Sequence, residues 1–388
     1  MAYGELPAAC AALNNVQINV QSLVRSSADE MIPDPHAEQL QHLLLRDYRP
    51  QARLVGPEHH VPRAAVRAID SHAHLGRWLS PDQSWMAPDV PRLLAEMDQC
   101  NIAGIVNLDG RWGTELGDNL ARYDHAHPGR FATCCHLDWR ELCAPGFGER
   151  LAAGLRACAD AGAAGVKVWK DLGLHVRDHR DELVFPDDER LAPVWAAAGE
   201  LGLPIFIHTA DPVAFFDPVD ERNERLEQLL TRPDWSFADP RFPSFQRLIE
   251  SLEAVVAAHP PTTFVGVHVG CYAENLTWVG RMLDTYPNFY VDTAARIAEL
   301  GRQPRATADL IARHPSRVLF GTDEIPFDSR AYEIYFRFLQ TSDEYFDHGL
   351  EDPPLMGRWK ISGLGLDDDL LRQVYYDNAR RLVPRLAG

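Results

Sequence analysis

Ile69-Asp70-Ser71-His72-Ala73-His74-Leu75 is the stretch around which the rest of the chain can be read. It closes an apolar run that starts at Ala64. In a β-strand, residues i and i+2 share a face, so His72 and His74 project together from the strand's C-terminal end. Neutral imidazole is the commonest metal-ligating side chain, and two on one face make half of a metal site. Taken alone, His-x-His also describes two ordinary polar residues at a strand end. The remainder of the chain decides between the two.

From Ala64 onward, short apolar runs alternate with stretches of helical periodicity. The runs are Ala65–His74, Ala103–Asp109, Arg130–Asp138, Ala164–Lys170, Pro204–Thr209, Thr263–Val269, Phe289–Thr293 and Arg317–Asp323. Between them lie Val90–Gln99, Asp118–His127, Gly148–Ala161, Glu189–Leu201, Phe245–His259, Leu276–Tyr286 and Ala306–His314, with apolar residues at helical spacing. Gly104, Gly165 and Pro204 are placed to stop the preceding helices. Strand–helix units in series give a parallel sheet, and eight of them close into an α/β (β/α)8 TIM barrel. An open doubly wound sheet is the alternative. It lacks support because no glycine-rich phosphate turn follows the first strand.

Residues 64–388 are therefore expected to form the barrel, ending in helices at Ser329–Leu339 and Asp367–Leu382. The connection from Ala210 to Pro261 is too long for a simple loop. Its part 211–244, rich in Pro, Asp, Arg and aromatics, is expected to act as a lid-like insertion at the barrel mouth. Phe215, Phe216 and Trp235 either cover the mouth or pack the insertion on itself. Residues 1–63 form an N-terminal extension packing on the barrel, with a helical pattern at Glu38–Leu45 and loop histidines His59 and His60. The extension either covers the barrel's bottom or contacts a second subunit, as in a homodimer.

The chain has 388 residues and a formal net charge of −18, which disfavours nucleic acid and anionic membranes as partners. No apolar run is long enough to span a bilayer. Seven irregularly spaced cysteines, with no Cys-x-x-Cys and no basic, apolar leader at Met1–Cys10, fit a reduced, cytoplasmic protein.

In a closed barrel the strand ends converge on one mouth. The first gives His72 and His74, the second Asp109 and Arg111, the fourth Lys167, Trp169 and Lys170. The fifth gives His208, the sixth His268, the seventh Asp292 and the eighth Asp323 and Glu324, with Asp211 and Arg296 just beyond strand ends. Four histidines and an aspartate at one mouth are the donor set of a divalent ion. Such an ion lowers the pKa of a bound water to about 7 in zinc sites. A carboxylate beside it can take that water's proton, and a further imidazole can polarise the attacked carbonyl. His136 is read as structural.

This order of motifs resembles the amidohydrolase superfamily, and more narrowly its amidohydrolase-related branch, which includes aminocarboxymuconate-semialdehyde decarboxylase. The likeness runs from Ile69 to Tyr376-Asp377-Asn378-Ala379-Arg380, which resembles the branch's closing helix motif. The resemblance implies that His72, His74, His208 and Asp323 bind one metal ion, zinc first and manganese second. It implies that His268 activates water or polarises the substrate, and that Asp323 doubles as the proton shuttle. Lys167 is expected to meet a substrate carboxylate or oxyanion. Its alternatives are carboxylation, bridging a second ion, or a structural pair with a carboxylate such as Asp109. Lys167, Trp169, Arg111 and Arg296 are the candidate substrate-binding residues. The activity implied is hydrolysis of an amide, lactone or ester of a small anionic substrate. The alternative is non-oxidative decarboxylation of an unsaturated or aromatic acid at the same site.

Overall fold

The computed structural model describes residues 40–142, 144–325 and 327–386, and the chain divides into two units between Leu54 and Val55. Cys10, Cys143 and the start of the Glu38–Leu45 pattern lie outside the described residues. In the first unit the described part holds one short 3-10 turn, Leu45–Asp47, with every side chain exposed. The second unit begins at Val55, before the boundary at 63 expected from the sequence. The reason is visible at His59, whose backbone N–H donates to Asp343 Oδ2 at 2.8 Å.

Eight parallel strands form the second unit's frame: β1 (Ala68–Ala73), β2 (Ile102–Asn107), β3 (Phe131–Thr133, resumed at Cys135–His136), β4 (Val166–Val168), β5 (Ile205–Ile207), β6 (Phe264–Gly266), β7 (Phe289–Asp292) and β8 (Val318–Leu319). Each pairs with the next in chain order, as in Val166↔Ile205 and Phe264↔Phe289. The seam between last and first is closed by Ser71 N–H to Phe320 O at 2.9 Å and Asp323 N–H to His72 O at 2.8 Å. The fold is an α/β (β/α)8 barrel. The strands are shorter than the apolar runs that encode them, because the polar residues at each run's end leave the ladder to form the mouth.

A helix follows every strand: α1 (Val90–Cys100), α2 (Gly113–Leu120), α3 (Phe147–Ala161), α4 (Ala192–Leu201), α5 (Phe245–Ala258), α6 (Leu276–Thr285), α7 (Pro304–Arg313) and α8 (Ser329–Gln340). Asp89 caps α1 by accepting from Arg92 N–H at 2.9 Å, and Ser244 caps α5 through Arg247 N–H at 3.2 Å. Asn101, Gly162 and Gly202 end α1, α3 and α4 in the left-handed conformation. The stop signals thus fall a few residues before the Gly104, Gly165 and Pro204 singled out in the sequence. The second helix starts at Gly113, ahead of the expected Asp118, and runs into a π-helical turn at Ala121–His125.

Alternation along the strands sorts the core. Val166, Ile205, Phe264 and Phe289 pack with the helices, while Ile69, Val106, Phe206, Val265 and Leu319 form a separate inner cluster with Ala379, Val383 and Leu386 of the C-terminal segment. That segment closes the end of the barrel opposite the mouth, with Phe320 N–H bonded to Val374 O at 2.9 Å. Lys167 lies in register with Phe206 and so faces the interior. Among the described residues no helix is long and apolar enough to cross a membrane.

Candidate metal centre

The strand ends build the cluster atom by atom. His72 Nδ1 is bonded to Asp292 Oδ2 at 2.8 Å. The carboxylate fixes the tautomer that leaves Nε2 bare, and this nitrogen lies 3.6 Å from Asp323 Oδ1. His74 Nε2 lies 3.3 Å from the same oxygen, and its Nδ1 has no partner among the described residues. His268 Nδ1 is bonded to Ala294 O at 2.9 Å, with Nε2 4.0 Å from Asp323 Oδ2. Donor atoms of His72, His74 and Asp323 all lie within 4.8 Å of one another, and so do those of His72, His268 and Asp292.

The backbone is bent hard to achieve this. Beyond β6 the chain leaves the strand, and His268, Val269, Gly270 and Cys271 take φ values of 57°, 59°, 67° and 59°. Left-handed backbone is unfavourable for any side-chain-bearing residue, most of all for β-branched Val269. Asp323 is left-handed as well, at φ 61°. Asp292 holds the bend by accepting His268 N–H at 2.7 Å. Asp70 ties the β1 end to the β8 end, accepting from Thr322 Oγ1 at 2.6 Å, from His72 N–H at 2.9 Å and from the Tyr332 hydroxyl. Strain of this kind concentrates where a site over-determines the conformation.

Electrostatics prepare the same atoms. Burial lowers the His74 pKa to about 4, and Asp323 opposes this only in part. Burial, then His208 and Arg296, push His268 well below its ordinary range. Both imidazoles are neutral at pH 7, with lone pairs free. For Asp323, burial works towards protonation, but His72, His74 and Lys167 outweigh it and hold the carboxyl well below the usual range. Buried neutral imidazoles, one with an orphaned ring nitrogen, beside an ionised carboxylate fit a divalent cation.

Lys167 is buried, with Nζ 3.5 Å from His72 Nε2 and 5.0 Å from the centroid of Trp169. Burial lowers its pKa to about 8, against the pull of Asp323 and Asp292. Asp109 is not its partner. Trp169 lies tilted over the His74 ring with centroids 4.8 Å apart, and its Nε1 is 3.2 Å from His136 Nε2. His136 is buried and bonded to Leu108 O at 2.8 Å, as a structural histidine would be. His208 departs from the arrangement the resemblance implies: its Nε2 is turned to Asp211 Oδ1 at 3.2 Å, and Asp211 in turn holds Lys170. Its ring centroid is 4.5 Å from that of His268.

A cavity of about 710 Å³ opens over these groups, lined also by Arg296, Glu324 and, from the insertion, Phe215 and Trp235. Phe215 belongs at the same time to a small apolar cluster with Leu229, Phe237 and Phe245, so the insertion both lines the mouth and packs on itself. Burial raises Glu324 to about 7, with Asp323 adding to the effect. Arg111 is not among the lining side chains. It lies over Trp78 and Trp112, at 5.1 and 4.1 Å from their centroids. Asp292, only a strand-end aspartate in the sequence, proves to orient both His72 and His268.

Asp109 gives a first prediction. It is fully buried, and neither carboxyl oxygen completes a hydrogen bond. Burial and then Glu115 push its pKa up to about 8. A folded pKa above the unfolded one means the native state binds more protons between pH 4 and 8, so stability falls as pH rises through that window. Asp109→Asn is expected to raise Tm by a few degrees at pH 8 and by less at pH 5. Thermal melts showing the reverse order would contradict this account.

No curated protein sequence matches the chain. Solved structures do. The chain is similar to a 2,6-dihydroxybenzoate decarboxylase complexed with 2,6-dihydroxybenzoate, at 15% identity and a TM-score of 0.53, covering 82% of this chain and 100% of that one. It is similar to a dihydroxybenzoic acid decarboxylase from Polaromonas sp. JS666, solved with manganese and 2-nitroresorcinol, at 14% identity and TM-score 0.54, covering 82% and 97%. An uncharacterised TIM-barrel protein from Bordetella bronchiseptica matches at 15% identity and TM-score 0.52, covering 83% and 100%. At these identities the likeness speaks to the fold. The sequence family described as amidohydrolase matches residues 69–385, nearly the whole of the barrel, and on that match the chain belongs to the amidohydrolase family, whose members use a divalent metal ion.

Proposed function

We propose that the protein is a metal-dependent, non-oxidative decarboxylase of a small aromatic or unsaturated acid. The observation that carries this is the buried Lys167 ammonium at the donor set His72, His74 and Asp323, in a cavity walled by Trp169, Trp235 and Phe215. Solved structures of the same fold that are named as decarboxylases add support. His72, His74 and Asp323 would hold one divalent ion, zinc or manganese, with His208 as the fourth ligand once it exchanges Asp211 for the metal. Carboxylation of Lys167 with a second ion is the alternative count.

The chemistry a bound divalent ion supplies is electrostatic: an anchor for the acid's oxygens and a sink for electron density. Lys167 orients the carboxylate by charge, and its partial desolvation strengthens that pull. The aromatic walls exclude water and stack on a planar substrate. Asp323, being ionised, takes a proton from a substrate hydroxyl and returns it to the carbon that loses CO2. The neutral His268 Nε2, whose lone pair is left free by the Nδ1–H bond to Ala294 O, accepts a hydrogen bond from a substrate hydroxyl and orients it. In sum R–COO⁻ and a proton give R–H and CO2.

The hydrolytic reading keeps one observation in its favour: an ionised Asp323, 4.0 Å from the acceptor nitrogen of His268, also makes a base for the attack of water on a carbonyl. Metal-loaded protein offered hydroxybenzoates and unsaturated acids, in parallel with lactones and amides, separates the two. The expected result is CO2 release with deuterium from D2O at the vacated carbon. Lactone or amide hydrolysis without CO2 from any acid would remove the proposal.

A further inference from the structure

The cations lining the cavity are of two kinds. Lys170 is paired with Asp211, Arg225 with Glu299, and Arg232 with Asp234 at 3.1 Å. Arg296 is not paired. It is 6% exposed and makes one hydrogen bond, from Nη1 to Ala295 O at 2.8 Å. Among the described residues no carboxylate oxygen comes within 4.0 Å of its guanidinium. Glu299, the carboxylate that acts on it most strongly, is already taken by Arg225. Glu274, the next, gives Oε1 to Val213 N–H at 3.0 Å, and its Oε2 has no partner.

Together with Asp211 these carboxylates hold the guanidinium charged from beyond contact distance, which leaves most of its donors free for an anion in the cavity. A planar fork facing a substrate cavity takes a carboxylate through two parallel bonds. Arg296 is not the cation of the reacting centre, because Lys167 holds that place beside His72. Ile297, Ile325, Leu355 and Met356 line the same cavity and offer apolar surface for a hydrocarbon frame.

We propose that Arg296 binds a second carboxylate of the substrate, other than the one at Lys167, so that the substrate is a dicarboxylic acid. This rests on the cavity being the substrate site, as proposed above, but not on which bond is broken there.

The test is calorimetric binding to metal-loaded protein, which needs no turnover. The probes are isophthalate and terephthalate against benzoate, and trans-glutaconate against crotonate. At least one dicarboxylate is expected to bind about 10-fold more tightly than its monocarboxylate counterpart. Arg296→Gln is expected to bring that ratio close to one, through a loss of dicarboxylate affinity that exceeds any change in monocarboxylate affinity. Should that variant not fold, Arg296→Lys keeps the charge but loses the fork, and is expected to lower the ratio by roughly 3-fold. Equal affinity within every pair in the wild type, absence of binding by all the dicarboxylates, or a ratio that survives substitution each overturns the proposal. Failure of the decarboxylase reading shows separately, as missing CO2 release from protein that still prefers dicarboxylates.

Discussion

Asp323→Asn is expected to empty the metal centre without unfolding the barrel. Asparagine keeps the side chain's shape and leaves intact the backbone bond from residue 323 N–H to His72 O, 2.8 Å long, which closes the β8–β1 seam. What it removes is the one carboxylate that stands 3.3 and 3.6 Å from the two first-strand imidazoles. Neutral imidazoles without the carboxylate make a weaker site for zinc or manganese, and asparagine is also tolerant of the φ of 61° required there. Elemental analysis after dialysis is therefore expected to give less than about a tenth of the wild-type metal, and turnover to fall by on the order of 10³-fold, since ion and proton carrier are lost together. The melting temperature of the metal-free forms should agree within a few degrees. Full metal occupancy in the variant would refute the assignment of Asp323 as a ligand. A collapse in stability of the metal-free form would instead mean that the carboxylate is structural.

Much of this centre is legible in the sequence because it obeys local rules. His72 and His74 sit two residues apart on a strand, and the strand period alone aims them together. Lys167 likewise faces inward by alternation. The parts that are not legible depend on contacts no period encodes. His268 lies past the end of β6, in a left-handed run that starts at an unremarkable Val-His-Val-Gly, so its direction follows from Asp292 and Ala294 rather than from strand alternation. Asp292 reads as one more strand-end aspartate until its bonds to His72 and His268 are seen. The turning of His208 onto Asp211 is invisible for the same reason, the partner being three residues on in a loop without regular structure. Arg111 shows the converse. Its place after β2 points to the mouth, but two tryptophan faces 4.1 and 5.1 Å away capture its guanidinium.

Breaking the buried pair between the insertion and the β7 mouth is expected to have the largest effect on stability. Arg225 and Glu299, 74 residues apart, are each about 1% exposed and bonded to one another through Nη2 and Oε1. Arg225 also donates to Gln228 Oε1 at 3.0 Å and lies 5.4 Å from the Trp359 centroid, and Trp359 is anchored to Ala298 O at 3.0 Å. Glu299→Gln leaves the Arg225 guanidinium buried without its counter-ion and removes the carboxylate that acts most strongly on Arg296. Removing one member of such a pair costs about 3–5 kcal/mol, equivalent to a fall of roughly 5–10 °C in Tm for a domain of this size. Arg225→Met should cost a similar amount by stranding the carboxylate. Replacing both together, Arg225→Met with Glu299→Leu, removes two desolvation penalties along with one attraction, and is expected to recover at least half of the single-variant loss. Denaturant melts of the four proteins decide the matter: losses that simply add in the double variant mean that the two side chains act independently and that the insertion is held by its apolar cluster of Phe215, Leu229 and Phe237 instead.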